Sequence, residues 1–151
     1  LVSVSKSCVR VARLFGFDPK VAFLSHSTFG KPISKNTKHV RDAIDILKKG
    51  NVDFDFDGEM QPDVALNPIY QDIYPFSKIV GKANILIMPA LHSAAISTKL
   101  MKVFGGGKLI GPLLIGLGLP IEVAPLRAST SEILNLASIA SYSSGVIDYS
   151  N

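Results

Sequence analysis

The chain has 151 residues, 47% of them hydrophobic and 19% charged, with 16 basic against 12 acidic side chains for a formal net charge of +4. That composition excludes a disordered chain and leaves room for one domain with a real core. The lone cysteine, Cys8, excludes an internal disulfide and a cysteine-based zinc site, so a reducing cytoplasm is the expected location.

In chain order, VSVSKSCVRVARLFGF carries Val4, Cys8, Val11, Ala12 and Phe15 at spacings of three and four, which predicts a helix with that face inward, ended by Gly16 and Pro19. VAFLSHS (21–27) reads as a fully buried strand. After a polar loop, TKHVRDAIDILKKG predicts an amphipathic helix with Val40, Ile44 and Leu47 as its apolar stripe and Gly50 as its stop. FDFDGEM (54–60) alternates apolar and acidic residues, as in a strand with one wet face or a strand at an edge. QPDVALNPIYQDIYP predicts a short, irregular helix, and ANILIMPA (83–90) is the clearest buried strand. HSAAISTKLMKVFGGG predicts a helix with Ala95, Leu100, Val103 and Phe104 turned inward. LIGPLLIGL and PIEVAPL read as strands, and a closing helix starts near Ser131. Strands alternating with helices predict an α/β fold, a mostly parallel sheet with helices on both faces. Ligands in such folds bind beyond the carboxyl ends of the strands, here the loops Ser25–Lys31, Glu59–Gln61, Pro89–Ser93 and Pro125–Thr130.

Several motifs have to be weighed. The basic run Lys31, Lys35, Lys38, His39, Arg41, with Lys48 and Lys49 beyond, lacks aromatic interleaving, so it reads as a solvated helix face and not as a nucleic-acid surface. LIGPLLIGLGLPI is too short and too interrupted by Gly and Pro to span a membrane. DFDFDGEMQPDV imitates a calcium loop but has Val64 where a bidentate Glu belongs, and FGGGKLIG lacks the glycine and the hydroxyl of a phosphate loop. No metal site and no dinucleotide fingerprint is expected. SHSTFG offers Ser25, Ser27, Thr28 and backbone N–H groups at a strand's carboxyl end, either for a phosphoryl or acyl oxygen or simply to cap the next helix. His92 and Ser93 stand where a strand gives way to a helix, with Ser93 placed as an N-cap. Ser129-x-x-Glu132 is a capping box ahead of an apolar run.

Taken in order, VAFLSHSTFG, DFDGEMQPDVAL, GKANILIMPALHSAAISTKL, GGGKLIGPLLIGL and STSEILNLASIA resemble the phosphate acetyl/butyryltransferase family from about Val11 to Ala140. DGEMQPDVALNP, YPFSKIVGKAN and MPALHSAAI look more specifically like the C-terminal region of large bacterial malic enzymes. The resemblance implies a three-layer α/β/α architecture built from a pair of domains, with residues 1–151 as roughly the second half of a phosphotransacetylase-like module; the start at Leu1 likewise leads us to expect a piece of a longer chain. Active members carry a loop reading about L-S-R-G-x-S-x-x-D-I-V-N. Laid on this chain, its Ser falls on Pro125, its Arg on Leu126, its Gly on Arg127 and its Asp on Glu132, while Ser129, Ile133 and Asn135 keep their types.

The resemblance therefore leaves three readings open. The first is a regulatory and oligomerisation module of an NAD(P)-dependent malic enzyme that binds acetyl-CoA through Ser25, Ser27, Thr28, His92, Ser93, Ser129 and Thr130. The second is a working phosphate acetyltransferase in which Arg127 and Glu132 replace the lost groups. The third is a ligand-free oligomerisation scaffold. The expected partners are acetyl-CoA or CoA, an upstream malic enzyme domain holding NAD or NADP and a divalent metal, and further copies in a homo-oligomer, with neither nucleic acid nor membrane.

Overall fold

A computed structural model describes residues 1–146, which divide into two compact units, Leu1–Ser97 and a second that starts at Thr98. The first unit is built on three parallel strands, β1 (Lys20–Leu24), β2 (Asp55–Met60) and β3 (Ile85–Ile87), in the order β2-β1-β3. Parallel neighbours need crossovers, and α2 (Lys38–Lys49) supplies one between β1 and β2, while the short α3 (Pro62–Leu66) lies between β2 and β3. α1 (Val2–Leu14) precedes the sheet.

The central strand is covered on both faces, which is why KVAFL is a nearly continuous apolar run. Val21 and Phe23 face α1 and α2, packing with Val9, Val40, Ile44 and Leu47. Ala22 and Leu24 face the other way, against Met60, Ala65, Ile79 and Ala83. The apolar stripe expected of α2 is thus the one it buries, and Gly50 caps it with its N–H on the Ile46 and Leu47 carbonyls. α1 is rotated from expectation. Its fully buried residues are Ser5 and Val9; of the expected face Cys8 and Ala12 pack against the core, while Val4 and Phe15 are exposed. Ser5 tolerates burial because its hydroxyl donates to the Val2 carbonyl at 2.8 Å within the same helix.

β2 is an edge strand among the described residues, but only Asp55 of its three acids is exposed; Asp57 and Glu59 are both buried. The ladder explains Glu59. Phe23 pairs with Gly58 and Leu24 with Met60, so Glu59 is the extra residue of a bulge. Gly58 makes the bulge possible, with φ +143° and a position where a Cβ would sit 2.7 Å from the Phe23 carbonyl oxygen.

α4 (Leu91–Phe104) and α5 (Thr130–Val146) are the remaining helices. The inward face expected of α4 is not found, and Ala95, Leu100, Val103 and Phe104 are all exposed. Apolar side chains surround this helix, with Leu91, Ile96 and Met101 exposed too, so its periodicity singles out no face. The strands expected over 109–117 and 120–126 are also absent. That stretch forms one isolated antiparallel bridge, Leu113 with Glu122. Pro112 and Pro120 lack ladder donors, and Gly111 and Gly116 take positive φ, so these segments do not sustain pairing. Among the described residues no helix is long and apolar enough to cross a membrane.

Candidate functional site

β1 ends at Leu24, and the next four residues leave the ladder with their hydroxyls turned inward; Ser25, Ser27 and Thr28 are buried and His26 is exposed. The Ser27 hydroxyl donates to Glu59 Oε1 at 2.7 Å and lies 3.2 Å from the Ser25 hydroxyl. Arg41, on α2, reaches the same carboxylate, with Nη1 3.1 and 3.2 Å from its two oxygens. The guanidinium also donates to the Thr37 hydroxyl and, through Nη2, to the Ser34 carbonyl at 3.0 Å. Glu59 is fully buried while Arg41 is about one-third exposed, so the carboxylate depends on this pairing and on Ser27 for its stability.

The backbone of the loop is equally committed. Thr28 and Lys31 exchange N–H···O bonds of 2.9 and 3.0 Å, the Phe29 N–H donates to the Glu59 carbonyl at 2.7 Å, and the Ser27 N–H donates to the Ser25 hydroxyl. The Thr28 hydroxyl accepts from the Gln61 N–H, and the Gln61 side chain donates to the His26 carbonyl at 2.9 Å. These donors organise the loop itself. Beside it, Phe29, Tyr74 and Phe76 form a cluster of rings with centroids 4.8–6.1 Å apart.

At the start of α4, Ser93 is not the N-cap. The helix begins at Leu91, and the Ser93 hydroxyl reaches back from the first turn, donating to the Ala90 carbonyl at 2.7 Å and accepting from the Ala90 N–H. His92 is exposed in that same turn. The preceding Pro89 carbonyl accepts from His39 Nε2 at 3.1 Å, which ties this loop to α2.

In the second unit, Pro125, Leu126 and Arg127 are exposed on a turn closed by the Ala128 N–H on the Pro125 carbonyl. The expected capping box is present. Glu132 Oε2 accepts from the Ser129 N–H at 2.7 Å and from its hydroxyl at 2.9 Å, and the Glu132 N–H donates back to that hydroxyl at 3.3 Å. These bonds from Ser129, with Lys102 nearby at 3.8 Å, hold the Glu132 carboxyl below the usual carboxylate range. Thr130 opens α5 and is exposed. Leu109, Pro125, Glu132 and Asn135 help line a pocket of about 10 Å³, room for a water and not for a ligand.

The profile described as phosphate acetyl/butaryl transferase matches residues 1–141. The chain belongs to that family. It is 45% identical over 145 residues to the NADP-dependent malic enzyme of Rhizobium meliloti, covering 96% of this chain and 19% of that one, in the C-terminal part of the larger protein. It is 33% identical over 140 residues to the phosphate acetyltransferase of Bacillus subtilis, covering 92% of this chain and 43% of that one. A phosphotransacetylase from Streptococcus pyogenes superposes with a TM-score of 0.87 at 34% identity, over 93% of this chain and 43% of the other. The chain therefore spans about a fifth of the malic enzyme and under half of the phosphate acetyltransferase, and the family's α/β fold is the one seen here.

Of the candidate residues, Ser25, Ser27, Thr28, His92 and Ser93 lie in the first unit and Ser129 and Thr130 in the second. Sequence reasoning placed Glu59 in a loop at a strand's carboxyl end but missed its pairing with Arg41, which organises the first loop. Arg41 was counted among solvated cations. Its position one turn before buried Ile44, at the border of the apolar stripe, was the available signal.

Proposed function

We propose that this chain is the C-terminal regulatory and oligomerisation module of an NAD(P)-dependent malic enzyme, binding acetyl-CoA as an effector and carrying an acyltransfer loop that no longer catalyses. One observation supports this most. Where acyl transfer to phosphate needs a hydroxyl donor and a guanidinium, exposed Pro125 and Leu126 supply neither, and Glu132 is already engaged in the cap of α5. Loss of one donor to a developing oxyanion typically costs about a hundred- to a thousandfold in rate. Binding of a nucleotide and its pantetheine arm rests on other contacts and tolerates these replacements.

An effector regulates only by binding two states of the whole enzyme unequally, so the acetyl-CoA site has to touch a surface that moves. His92 and the hydroxyls at the carboxyl end of β1 and at the start of α5 are the groups assigned to it. Nicotinamide and divalent metal are assigned to the remainder of the malic enzyme. The described residues hold no group of three His, Cys, Asp or Glu side chains fit for a metal, and the sequence has no dinucleotide fingerprint.

The test is a calorimetric titration of the protein with acetyl-CoA, with free CoA as the comparison. Saturable binding that also changes malate oxidation supports the sensor. Binding absent from the complete enzyme overturns it and leaves the scaffold. The identity to a phosphate acetyltransferase favours one second reading, a working acyltransferase using Arg127. It expects acetyl phosphate formation that disappears in Arg127→Ala, and turnover unchanged by that substitution would exclude it.

A further inference from the structure

The amino ends of the strands, away from the loops discussed above, carry a cleft of their own. α1 and the turn Gly50–Phe54, which leads into β2, border an open cleft of about 810 Å³. Small-molecule sites typically have about 300–1,000 Å³.

The lining is polarised. Lys6, Arg10 and Arg13 follow one another at spacings of four and three, which sets them in one row down α1. Beneath them lie Val9, almost fully buried, and the half-buried ring of Phe54, itself 5.8 Å from the ring of Phe56. Asp53 is the only carboxylate in the lining, and Arg13 already holds it, donating from Nη1 to Oδ2 at 3.0 Å and from Nη2 to the Asp53 carbonyl at 2.9 Å. Three cations less one carboxylate leave the cleft at +2. Arg13 is thereby fixed in direction. Arg10 makes only a long contact, 3.3 Å, with the Ser7 hydroxyl on its own helix. An apolar floor under a row of cations matches a ligand that is flat and apolar at one end and multiply anionic at the other. A solvated helix face would need no such floor.

We propose that this cleft binds a phosphorylated small molecule of the nucleotide class, its phosphates along Lys6 and Arg10 and its base over Phe54 beside the anchored Arg13. The bidentate fork of arginine suits phosphate oxygens, and its planar face suits an aromatic ring. The site does not depend on the acetyl-CoA reading, because it shares no residue with it.

The probe is ADP, titrated calorimetrically into the protein and into the double variant Lys6→Glu/Arg10→Glu, with adenosine and inorganic pyrophosphate as comparisons. Both substitutions are at exposed positions of a helix, and circular dichroism verifies that the fold is kept. The expected result is saturable ADP binding, at least tenfold weaker for either fragment alone and at least tenfold weaker in the double variant. No saturable ADP binding would overturn the proposal. So would adenosine binding as tightly as ADP, or an ADP affinity that the double variant leaves unchanged.

Discussion

The loops that follow β1 and precede α5 use the same kind of residue in opposite ways. Ser25, Ser27 and Thr28 are buried and held by groups far away in sequence, Glu59 from the β2 bulge and Arg41 from α2. Ser129 and Thr130 are exposed, and Ser129 closes on a partner three residues away. A serine that leans on a buried ion pair takes its geometry from the packing of a whole unit. A serine in a capping box takes it from one turn of helix. The first arrangement fails only if the unit fails, whereas the second can be lost with little consequence elsewhere.

The largest break in that contrast is expected from Glu59→Ala. It leaves Arg41 and Ser27 without their shared acceptor, and disruption of a buried pair costs about 3–5 kcal/mol. Urea unfolding followed by circular dichroism would measure it; a loss under 1 kcal/mol would mean that the pair is not structurally important. Ser129→Ala is the counterpart in the second unit, with an expected cost of about 1 kcal/mol. Hydrogen exchange should localise that loss to the first turns of α5 and leave protection in β1 unchanged.

The smallest effect is a pH dependence. Glu132 is held below its ordinary value by its bonds from Ser129, so the folded state binds its proton less readily than the unfolded chain does. Its contribution is therefore complete above the ordinary carboxylate range and is lost as pH falls through the lowered folded value. Glu132→Gln should remove that dependence from α5 exchange between neutral and acidic pH. An unchanged profile would assign the effect to another carboxylate.

The same contrast explains what could be read from the sequence. The capping box and the buried stripe of α2 are written in neighbours three and four residues apart, and both were legible. The parallel α/β arrangement was legible too, since it follows from alternating element types. Glu59 was not, because an alternating strand pattern assigns every second residue to one face, and the bulge at Gly58 breaks the alternation just where the acid turns inward. The stretch 109–126 misled for a related reason. Its apolar content resembles a strand, while its prolines and positive-φ glycines deny it the regular backbone a ladder requires. For His92 and the other residues assigned to ligand, side-chain chemistry was visible but the geometry of a complex is not written in one chain's periodicity.

The irregularity at Gly58–Glu59 has one more consequence. An edge strand offers its unpaired N–H and C=O groups to any other extended segment it meets, and proteins discourage this with kinks and charges placed on the edge. β2 carries both, a bulge at its carboxyl end and, at its amino end, the exposed carboxylate of Asp55. The feature that orders the hydroxyl loop thus also bends the strand at the end where its ladder to β1 stops.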